Sequence, residues 1–504
     1  MKVLHYYWTP YNIGLGGGVS IYLNNILPAL SKNHQVDFLS SGYYYDPSLK
    51  KCYIEKLEEL SSKEISCFTV INSPILSPGH DAWQSVDTFL EDVTLLNVLK
   101  TFISEQGKYD VIHFHSFEGL TQKALTLKKY FPRTKFIWSV HNYHAFCPQV
   151  NLWKREKKCC EDYVDGTQCT NCIFTFTDVK KLRYLRFKEL VKVTTPTTTL
   201  SKIKRTIRII KRKYFLKTYK EVEGYRQNRV SQVYGRKDIM FSTDTDLIKD
   251  SSEKYKKYRE GNVRLINKYF HKVLAVSNRV GEICIEDMGI KSELVETQYI
   301  STKFEQKPIK KYTKSDGSIT IAYLGYTRKD KGFFFFKKCL KNAPDHLAKK
   351  IRVVIASSMG HNDLLYKLEQ ISIKFKGFTV YNGYGHDSMG KILKTVDLGV
   401  VPVLWEDNLP QVSIEMKSFG VPVLASDRGG ASEISSVKNR QYFRFKSNDA
   451  NDFWSKVEQF IEDPKRLKDY WFDAPSLISA AEHAESISAI YSNINIAEEI
   501  KKQP

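Results

Sequence analysis

The residues with the clearest chemical use lie between Trp405 and Glu433. This stretch follows a short apolar run, Leu398–Pro402, and holds Asp407 and Glu415, two acids separated by seven residues. We expect a helix to begin near Asp407 or Asn408, because both residue types cap helices. Backbone N–H groups at a helix start bind phosphate, and the carboxylates can accept hydrogen bonds from ribose and sugar hydroxyls. The same pattern also fits an ordinary capped helix with a surface acid.

Short apolar runs alternate with helical patterns on both sides of this segment, which is typical of parallel, doubly wound sheets. We therefore predict an α/β protein with one such domain at 1–300, a lysine-rich linker at 301–318 and a second domain at 319–475. A helix within 476–504 is expected to cross back to the first domain. Buried strands are predicted at Lys2–Tyr6, Gln35–Ser40, Val111–His115, Phe136–Val140, His271–Ser277, Ile319–Gly325, Arg352–Ala356, Phe378–Tyr381, Leu398–Pro402 and Val421–Ala425.

A cysteine-rich and basic insertion interrupts the first series at about 147–262. The chain of 504 residues has a formal net charge of +21, and residues 173–240 hold 19 Lys and Arg against 5 Asp and Glu. Within it, apolar residues from Ile203 to Tyr214 share one helical face among basic residues, which is typical of a membrane-surface helix. A solvated helical excursion remains the alternative. We expect no signal peptide and no membrane-spanning helix.

Five cysteines fall inside the insertion. The spacing of Cys169 and Cys172 is that of a zinc-binding pair, and a further two thiolates would complete a structural site without an open position. Reduced cysteines or disulfides are the alternatives. The candidate ligands are Cys147, Cys159, Cys160, Cys169 and Cys172.

The stretch around the two acids resembles the donor motif of family 4 glycosyltransferases, which have the GT-B fold of two Rossmann-like domains facing a cleft. Their two acids are followed by a Gly-x-Pro-Val strand and a Gly-Gly-x-x-Glu turn. Here Gly420–Val423 and Gly429–Glu433 occupy those places. The first acid is usually Glu in that family, whereas here it is Asp407, one methylene shorter.

The resemblance extends to other motifs along most of the chain. Gly16–Val19 is similar to the family's N-terminal glycine loop, and Ser277 to its strand-ending serine. Gly325 and Lys331 resemble a Gly-Arg…Lys-Gly segment, although Tyr326 replaces the arginine. The resemblance implies that Lys331 contacts the diphosphate, with Arg328 as a candidate substitute for the arginine. The implied donor contacts are Glu415, Arg328, Asn408, Leu409, Pro410, Gln411, Val412, Gly17, Gly18, Gly325 and Ser277.

Two histidines compete for a place in the active site. His141 and His115 each end a predicted strand of the first domain. Because the family has its active-site histidine after the later strand, we predict that His141 contacts the transferred sugar and acts with Asp407 and Lys331. The resemblance leaves His115, Asn142 and His144 as acceptor-side candidates. A structural histidine is the alternative for either strand end.

The implied function is transfer of a hexosyl or related sugar, with retention, from a nucleotide-diphosphate sugar to a glycan or lipid-linked acceptor. Surface polysaccharide or glycoconjugate synthesis is the expected setting, at a cytoplasmic location or the inner face of a membrane. No catalytic cofactor and no specific nucleic-acid partner are expected. The alternatives are a nucleotide-sugar epimerase of the same fold and, since basic charge supplies nonspecific affinity, a non-catalytic nucleic-acid-binding protein.

Overall fold

Two large β-sheets and one two-stranded hairpin organise the chain. The structure is a computed structural model that describes residues 1–49, 51–79, 86–172, 179–193, 245–304, 306–309, 316–359 and 362–495, with the single positions 206, 210, 213 and 214. Most of the basic segment 173–240, including nearly all of the amphipathic pattern at 203–214, lies outside the described residues.

The first sheet has eight strands in the order β10-β9-β6-β5-β1-β2-β4-β3. All neighbours pair in parallel except β3 and β4. The residues of its central strands are buried almost without interruption, as expected for a parallel sheet covered on both faces. The strands are β1 (Lys2–Tyr7), β2 (Gln35–Tyr44), β3 (Tyr53–Lys56), β4 (Ile65–Ile71), β5 (Val111–Phe114), β6 (Lys135–Val140), β9 (Lys272–Ala275) and β10 (Val295–Thr297), and the hairpin is β7 (Trp153–Lys154) with β8 (Lys158–Cys159).

Helices surround this sheet, and three of them lie in the described part of the insertion. They are α1 (Gly17–Leu30), α2 (Val86–Glu91), α3 (Thr94–Glu105), α4 (Thr167–Thr170), α5 (Val179–Val193), α6 (Thr245–Tyr269) and α7 (Asn278–Glu282), with short 3₁₀ turns at Glu58–Leu60 and Ser292–Leu294 and a π-turn at Ile283–Asp287. The connection from β5 to β6, expected to be an α-helix, is the 3₁₀ segment Gln122–Lys129.

The second sheet has six parallel strands in the order β13-β12-β11-β14-β15-β16. The strand predicted from Val421 begins at Val423 instead, directly after Pro422, which has no N–H to donate to the sheet. The strands are β11 (Ile319–Leu324), β12 (Ile351–Ser357), β13 (Gly377–Asn382), β14 (Leu398–Val401), β15 (Val423–Ser426) and β16 (Arg444–Phe445).

The helices of the second sheet follow its strands in alternation. They are α8 (Phe333–Lys341), α9 (Asp345–Ala348), α10 (Asn362–Ser372), α11 (His386–Leu393), α12 (Gln411–Ser418) and α13 (Ala450–Glu462), with 3₁₀ segments at Ala431–Ile434, Arg440–Tyr442 and Pro464–Trp471. This order of parallel strands and helices confirms the predicted doubly wound architecture.

The last helix, α14 (Ala480–Asn493), packs against α1 of the first sheet. Its start is fixed by a capping box, in which Ser479 and Glu482 exchange side-chain and backbone hydrogen bonds of 2.8 and 3.2 Å. On this helix, His483 is buried against Tyr22 of α1, and Tyr491 is buried against His113 of β5. The C-terminal helix therefore supplies side chains to the interior of the N-terminal half.

None of the helices in the described part of the chain has both the length and the apolar character needed to cross a bilayer.

Candidate active site between the two sheets

A cavity of about 440 Å³ lies between the two sheets, at the carboxyl ends of their strands. Parallel sheets bind ligands at this edge because the loops that follow the strands meet there. Both halves of the chain line it: α1 and the end of β6 on one side, the loops after β11 and β14 on the other. The predicted site residues that line the cavity are His141, Asp407, Lys331, Glu415, Asn408, Leu409, Pro410, Gln411, Val412, Gly18 and Gly325.

The helix α12 begins later than predicted. Pro410, rather than Asp407 or Asn408, occupies the N-cap position, and no side chain caps the helix. The residue before a proline avoids the helical region, which delays the start. The two expected capping side chains have other partners: Asp407 binds Lys331, and Asn408 Nδ2 donates to the carbonyl oxygen of Val140 at 3.0 Å.

Asp407 and Lys331 form an ion pair at the cavity wall. Lys331 Nζ lies 2.5 Å from Asp407 Oδ2, and the aspartate is almost fully buried whereas the lysine is half-buried. The ammonium group also lies 5.2 Å from the centre of the Trp405 ring. Lys331 thus presents a fixed positive charge to the cavity, and such a charge stabilises an anion that develops on a leaving group.

Glu415 lies on α12 and is only 4% exposed. Burial raises the pKa of its carboxyl group to about 7, and the positive charge of Lys303 offsets only part of this shift. An acid whose pKa is strongly shifted by burial in a cavity is a candidate functional residue. Tyr384 also lines the cavity, and burial, with a smaller effect of the charge of Glu415, raises its pKa.

The turn at Gly429 and Gly430 supports the loop that carries the first acid. A Cβ atom at Gly429, whose φ is +68°, would lie 1.9 Å from the carbonyl oxygen of Asp407. A Cβ at Gly430 would lie 2.5 Å from the carbonyl oxygen of Asn408. Only glycine lets the two backbones approach this closely. The Gly-Gly sequence therefore holds the cavity loop in place.

Glu406, the neighbour of Asp407, joins the two halves of the chain. Its carboxylate accepts hydrogen bonds from Arg279 (3.1 Å), from Arg428 (3.0 Å) and from the backbone N–H of Gly429 (3.0 Å). These donors lower the pKa of Glu406 although its burial acts in the opposite direction. Sequence reasoning assigned no role to this residue, and its charge alone did not distinguish it from Asp407.

A second acid makes a similar connection. Glu433, in the turn after β15, accepts hydrogen bonds from the backbone N–H groups of Asn278 (2.7 Å) and Arg279 (2.8 Å) at the start of α7. A carboxylate at this position complements the unsatisfied donors of a helix N-terminus. Tyr299 also donates to Glu433, at 2.8 Å. The last acid of the donor-like motif thus fixes the two halves of the chain relative to each other.

The glycine loop contributes one wall through α1. Gly18 lines the cavity, followed by Val19, Ile21 and Tyr22, whereas Gly17 does not line it. Gly16, with φ +88°, occupies the N-cap position of α1. The helix begins at Gly17.

His141 lies after β6, lines the cavity and packs its ring against Tyr22, 4.9 Å away. Burial, with a smaller effect of nearby His483, lowers the pKa of His141 to about 3. The imidazole is therefore neutral near pH 7. His115 is fully buried behind it, with its Nδ1 atom 3.2 Å from His141 Nε2.

The other two acceptor-side candidates face away from the cavity. Asn142 donates to Glu118 at 2.8 Å. His144 is buried, with its ring 5.5 Å from that of Phe89 and 6.3 Å from that of Tyr258. The structure therefore brings His141 to the cavity and leaves Asn142 and His144 in the packing of the first domain.

Two predicted donor contacts, Arg328 and Ser277, do not line the cavity. Arg328 forms hydrogen bonds of 2.9 and 2.7 Å with Asp330 and does not line the cavity. Ser277 is fully buried, and its hydroxyl donates to the carbonyl oxygen of Asn408 at 2.7 Å. Ser277 acts on the site through that loop, because it holds the residue that follows Asp407.

The cysteines of the insertion divide into two groups. Cys159 Sγ lies 3.6 Å from the carbonyl oxygen of Leu404, on the second sheet's side. The other four are neighbours of one another: Cys147, Cys160, Cys169 and Cys172. Across the described residues, no three cysteine sulfur atoms lie within 4.8 Å of one another. The predicted zinc site stays a prediction.

Several cavity residues carry no recognisable motif. Tyr22, Ser358, Tyr384 and Met389 line the cavity beside the predicted residues. Ser358 directly follows β12, and Tyr384 lies just after β13, so their positions after strands were the available signal. For Tyr22, the available signal was its position on α1, shortly after the glycine loop.

Comparisons with known proteins agree with this arrangement. Residues 304–471 match the family model described as Glycosyl transferases group 1. A search of curated protein sequences finds no significant match. The C-terminal half therefore carries a glycosyl transferase group 1 domain, and the predicted enzyme class, a glycosyltransferase, is confirmed.

Solved structures resemble the whole chain. HepE from Anabaena, in complex with UDP and glucose, is 14% identical with a TM-score of 0.52, covering 98% of this chain and 100% of that one. Sucrose-phosphate synthase from Thermosynechococcus elongatus is 12% identical with a TM-score of 0.54, covering 98% of each chain. A glycosyltransferase from Rickettsia africae is 12% identical with a TM-score of 0.50, covering 97% of each chain. At these identities the likeness establishes the fold, which is GT-B.

Proposed function

We propose that the protein transfers a sugar from a nucleotide-diphosphate sugar bound in the cavity between the two sheets. The observation that carries this proposal is the convergence of Glu415, Asp407 and Lys331 in one cavity that Gly18 and His141 complete from the other half of the chain. The two acids provide hydrogen-bond acceptors, the lysine a cation and the histidine a neutral ring. This set matches a ligand with hydroxyl groups and a diphosphate.

The roles follow from position. Glu415 accepts hydrogen bonds from the ribose, Asp407 orients hydroxyl groups of the sugar, and His141 contacts the sugar from the opposite wall. Lys331 and the N-terminus of α12, which Gln411 begins, offset the charge of the diphosphate. The donor thus lies mainly against the second domain (319–475), and the acceptor enters on the side of the first domain (1–300). The linker 301–318 joins the two domains. Closure of the two domains would exclude water from the reacting atoms.

We propose that transfer retains the configuration of the anomeric carbon. The bond from this carbon to the diphosphate oxygen breaks, a bond to an acceptor hydroxyl oxygen forms, and the hydroxyl proton passes to the departing phosphate. The resemblance to family 4 enzymes supports retention. In the described structure Asp407 is held by Lys331, which fits a binding role for it better than a role as a base. An anomeric NMR spectrum of the first product tests this, and an inverted linkage would contradict it.

The donor nucleotide can be identified by a thermal-shift screen. The HepE structure contains UDP and glucose, so uridine diphosphate and its sugars come first, followed by the guanosine, adenosine, cytidine and thymidine series. We expect one nucleoside diphosphate to raise the melting temperature, because a ligand that binds only the folded state stabilises it. Failure of every nucleoside diphosphate would contradict the proposed function. Turnover that requires an acceptor separates transfer from epimerisation.

We propose a glycan or lipid-linked acceptor used in surface polysaccharide or glycoconjugate synthesis, at the cytoplasmic face of an anionic membrane. The support is the charge of residues 173–240, with 19 basic against 5 acidic residues. Flotation of the full chain with vesicles tests it: we expect binding to vesicles with anionic lipid and much less to neutral vesicles. Replacement of the six basic residues between Lys204 and Lys213 by Gln should remove the difference. Equal binding to both vesicles would contradict the proposal.

We also propose a structural zinc held by Cys147, Cys160, Cys169 and Cys172, a set that leaves Cys159 out. The support is the Cys169-x-x-Cys172 spacing, and zinc binding would draw the four sulfur atoms closer together than the described structure has them. Metal analysis of the purified protein tests this proposal, and substitutions of the adjacent residues Cys159 and Cys160 form a matched pair of variants. We expect Cys160→Ser to lose zinc and Cys159→Ser to keep it. Equal zinc content in the two variants, or none in the unaltered protein, would contradict the assignment.

A further inference from the structure

Three histidine rings form a hydrogen-bonded chain that ends at the cavity. His5 Nδ1 lies 3.0 Å from His115 Nε2, and His115 Nδ1 lies 3.2 Å from His141 Nε2. The strands β1, β5 and β6 are neighbours in the sheet, which places the three residues side by side. His5 and His115 are fully buried, whereas His141 lines the cavity.

All three rings are neutral near pH 7. Burial lowers the pKa of His5 and His141 to about 3 and that of His115 well below its ordinary value. A neutral imidazole has one N–H donor and one bare nitrogen acceptor. The two hydrogen bonds among the three neutral rings must therefore share one direction. Either both donated hydrogens point toward His5, or both point toward His141.

His5, at the buried end of the three histidines, decides between these directions. In the described structure His5 Nε2 is buried and has no hydrogen-bond partner. If the hydrogens pointed inward, this atom would carry an orphaned N–H group, which is rare in protein interiors. If they point outward, His5 donates from Nδ1, His115 donates from Nδ1, and the hydrogen of His141 is left on its Nδ1 atom. The outward direction avoids a buried N–H donor without an acceptor.

We propose that His5 and His115 are positioning residues that hold His141 as the Nδ1–H tautomer, so that His141 donates a hydrogen bond to an oxygen of the transferred sugar. The identity of the sugar partner rests on the proposed function, whereas the tautomer does not. With its Nδ1 protonated and its Nε2 accepting from His115, His141 has no bare nitrogen left to act as a general base.

A metal ion is the other use of such a cluster, because ligand atoms of His5, His113 and His115 lie within 4.8 Å of one another. Five of the six nitrogens of these rings already have hydrogen-bond partners. His113 binds Tyr491 at 2.6 Å and Ser139 at 2.8 Å, and His115 uses both nitrogens in the chain. Among these rings only His5 Nε2 lacks a described partner, so the cluster is organised as a hydrogen-bond network.

The tautomer can be measured directly by ¹⁵N NMR of protein labelled in its histidine rings, because protonated and bare ring nitrogens have well-separated shifts. The His141 signals are assigned by their loss in His141→Gln. We expect a protonated Nδ1 and a bare Nε2 in the unaltered protein. His115→Leu should shift His141 toward the other tautomer, and His115→Asn, whose amide can still donate near the position of Nδ1, should restore the original signals. A bare Nδ1 in the unaltered protein, or no change in His115→Leu, would overturn the proposal.

His113→Asn is the matched control. His113 lies on β5, two residues before His115, is equally buried and has Tyr491 and Ser139 as its hydrogen-bond partners. We expect it to leave the His141 signals unchanged. In transfer assays His115→Leu should lower kcat/KM roughly 3- to 10-fold more than His113→Asn, the size expected for one hydrogen bond, and equal losses would overturn the link to the sugar. If no nucleotide sugar binds, the proposed function fails while the NMR result still decides the tautomer.

Discussion

The two walls of the cavity hold their functional groups by different physical means. The wall from the second sheet uses charges: Lys331 is paired with Asp407, and the neighbouring Glu406 is held by Arg279 and Arg428. The wall from the first sheet uses neutral groups, because burial keeps its histidines uncharged. A charged wall suits a diphosphate, whereas a neutral wall suits sugar hydroxyls. Under the proposed function, the charged wall holds most of the donor, including its diphosphate, and the neutral wall adds a contact to the transferred sugar.

The largest expected effect is at the charged wall. Lys331→Met should lower the transfer rate roughly 10²- to 10³-fold, because removal of one fixed group that stabilises leaving-group charge has effects of this size. Lys329→Met is the matched control, since Lys329 lies two residues away and pairs at the surface with Glu156. Single-turnover kinetics measure both variants. A comparable loss of transfer rate in both variants would contradict a specific role of Lys331 in the charged wall.

The next effect is a pH-dependent change in stability at Glu415. The pKa of Glu415 in the folded protein, about 7, lies above its ordinary value of 4.5. The folded state without ligand is therefore destabilised relative to the unfolded state as the pH rises from about 4.5 to about 7. Glu415→Gln should therefore raise the melting temperature near pH 8, corresponding to roughly 2–3 kcal/mol, and change it little near pH 4.5. Scanning calorimetry at both pH values measures this. An equal shift at the two values would show that ionisation is not the cause.

The smallest effect is at the contact between the walls. Arg279→Ala should destabilise the protein by about 1 kcal/mol, because Glu406 keeps Arg428 and the N–H of Gly429 as partners. Arg264→Ala, at an exposed position on α6, should have almost no effect. Thermal unfolding in parallel compares them. A loss in Arg264→Ala as large as that in Arg279→Ala would argue against a specific bridge.

The acidic part of the charged wall could be predicted from the sequence because its residues are close along the chain, whereas Lys331 was predicted from the family resemblance. The acids, the Gly-Gly turn and Glu433 occupy one continuous stretch, and the alternation of strands and helices fixes which edge of the sheet they occupy. The start of α12 was predicted wrongly because the side chains of Asp407 and Asn408 bind Lys331 and Val140 instead of capping the helix. Those partners lie far away in sequence.

The neutral wall could be predicted only in part. His141 was found as the end of a strand, but its partners are Tyr22 of α1, His115 after β5 and His483 of α14, and no local pattern joins them. Nor did sequence reasoning distinguish Glu406, which holds the two halves together, from the adjacent Asp407 in the cavity. Both outcomes depend on which strands become neighbours, which is a property of the folded sheet.

The account rests on a nucleotide-sugar site at Glu415, and calorimetric titration tests it most directly. The nucleoside diphosphate that gives the largest thermal shift is titrated into the unaltered protein, Glu415→Ala and Lys329→Met at about pH 8, where Glu415 is ionised. We expect one binding site, an affinity at least roughly tenfold weaker in Glu415→Ala, as for loss of hydrogen bonds to a charged group, and no change in Lys329→Met. Equal affinity in Glu415→Ala and the unaltered protein, or no binding in either, would contradict it.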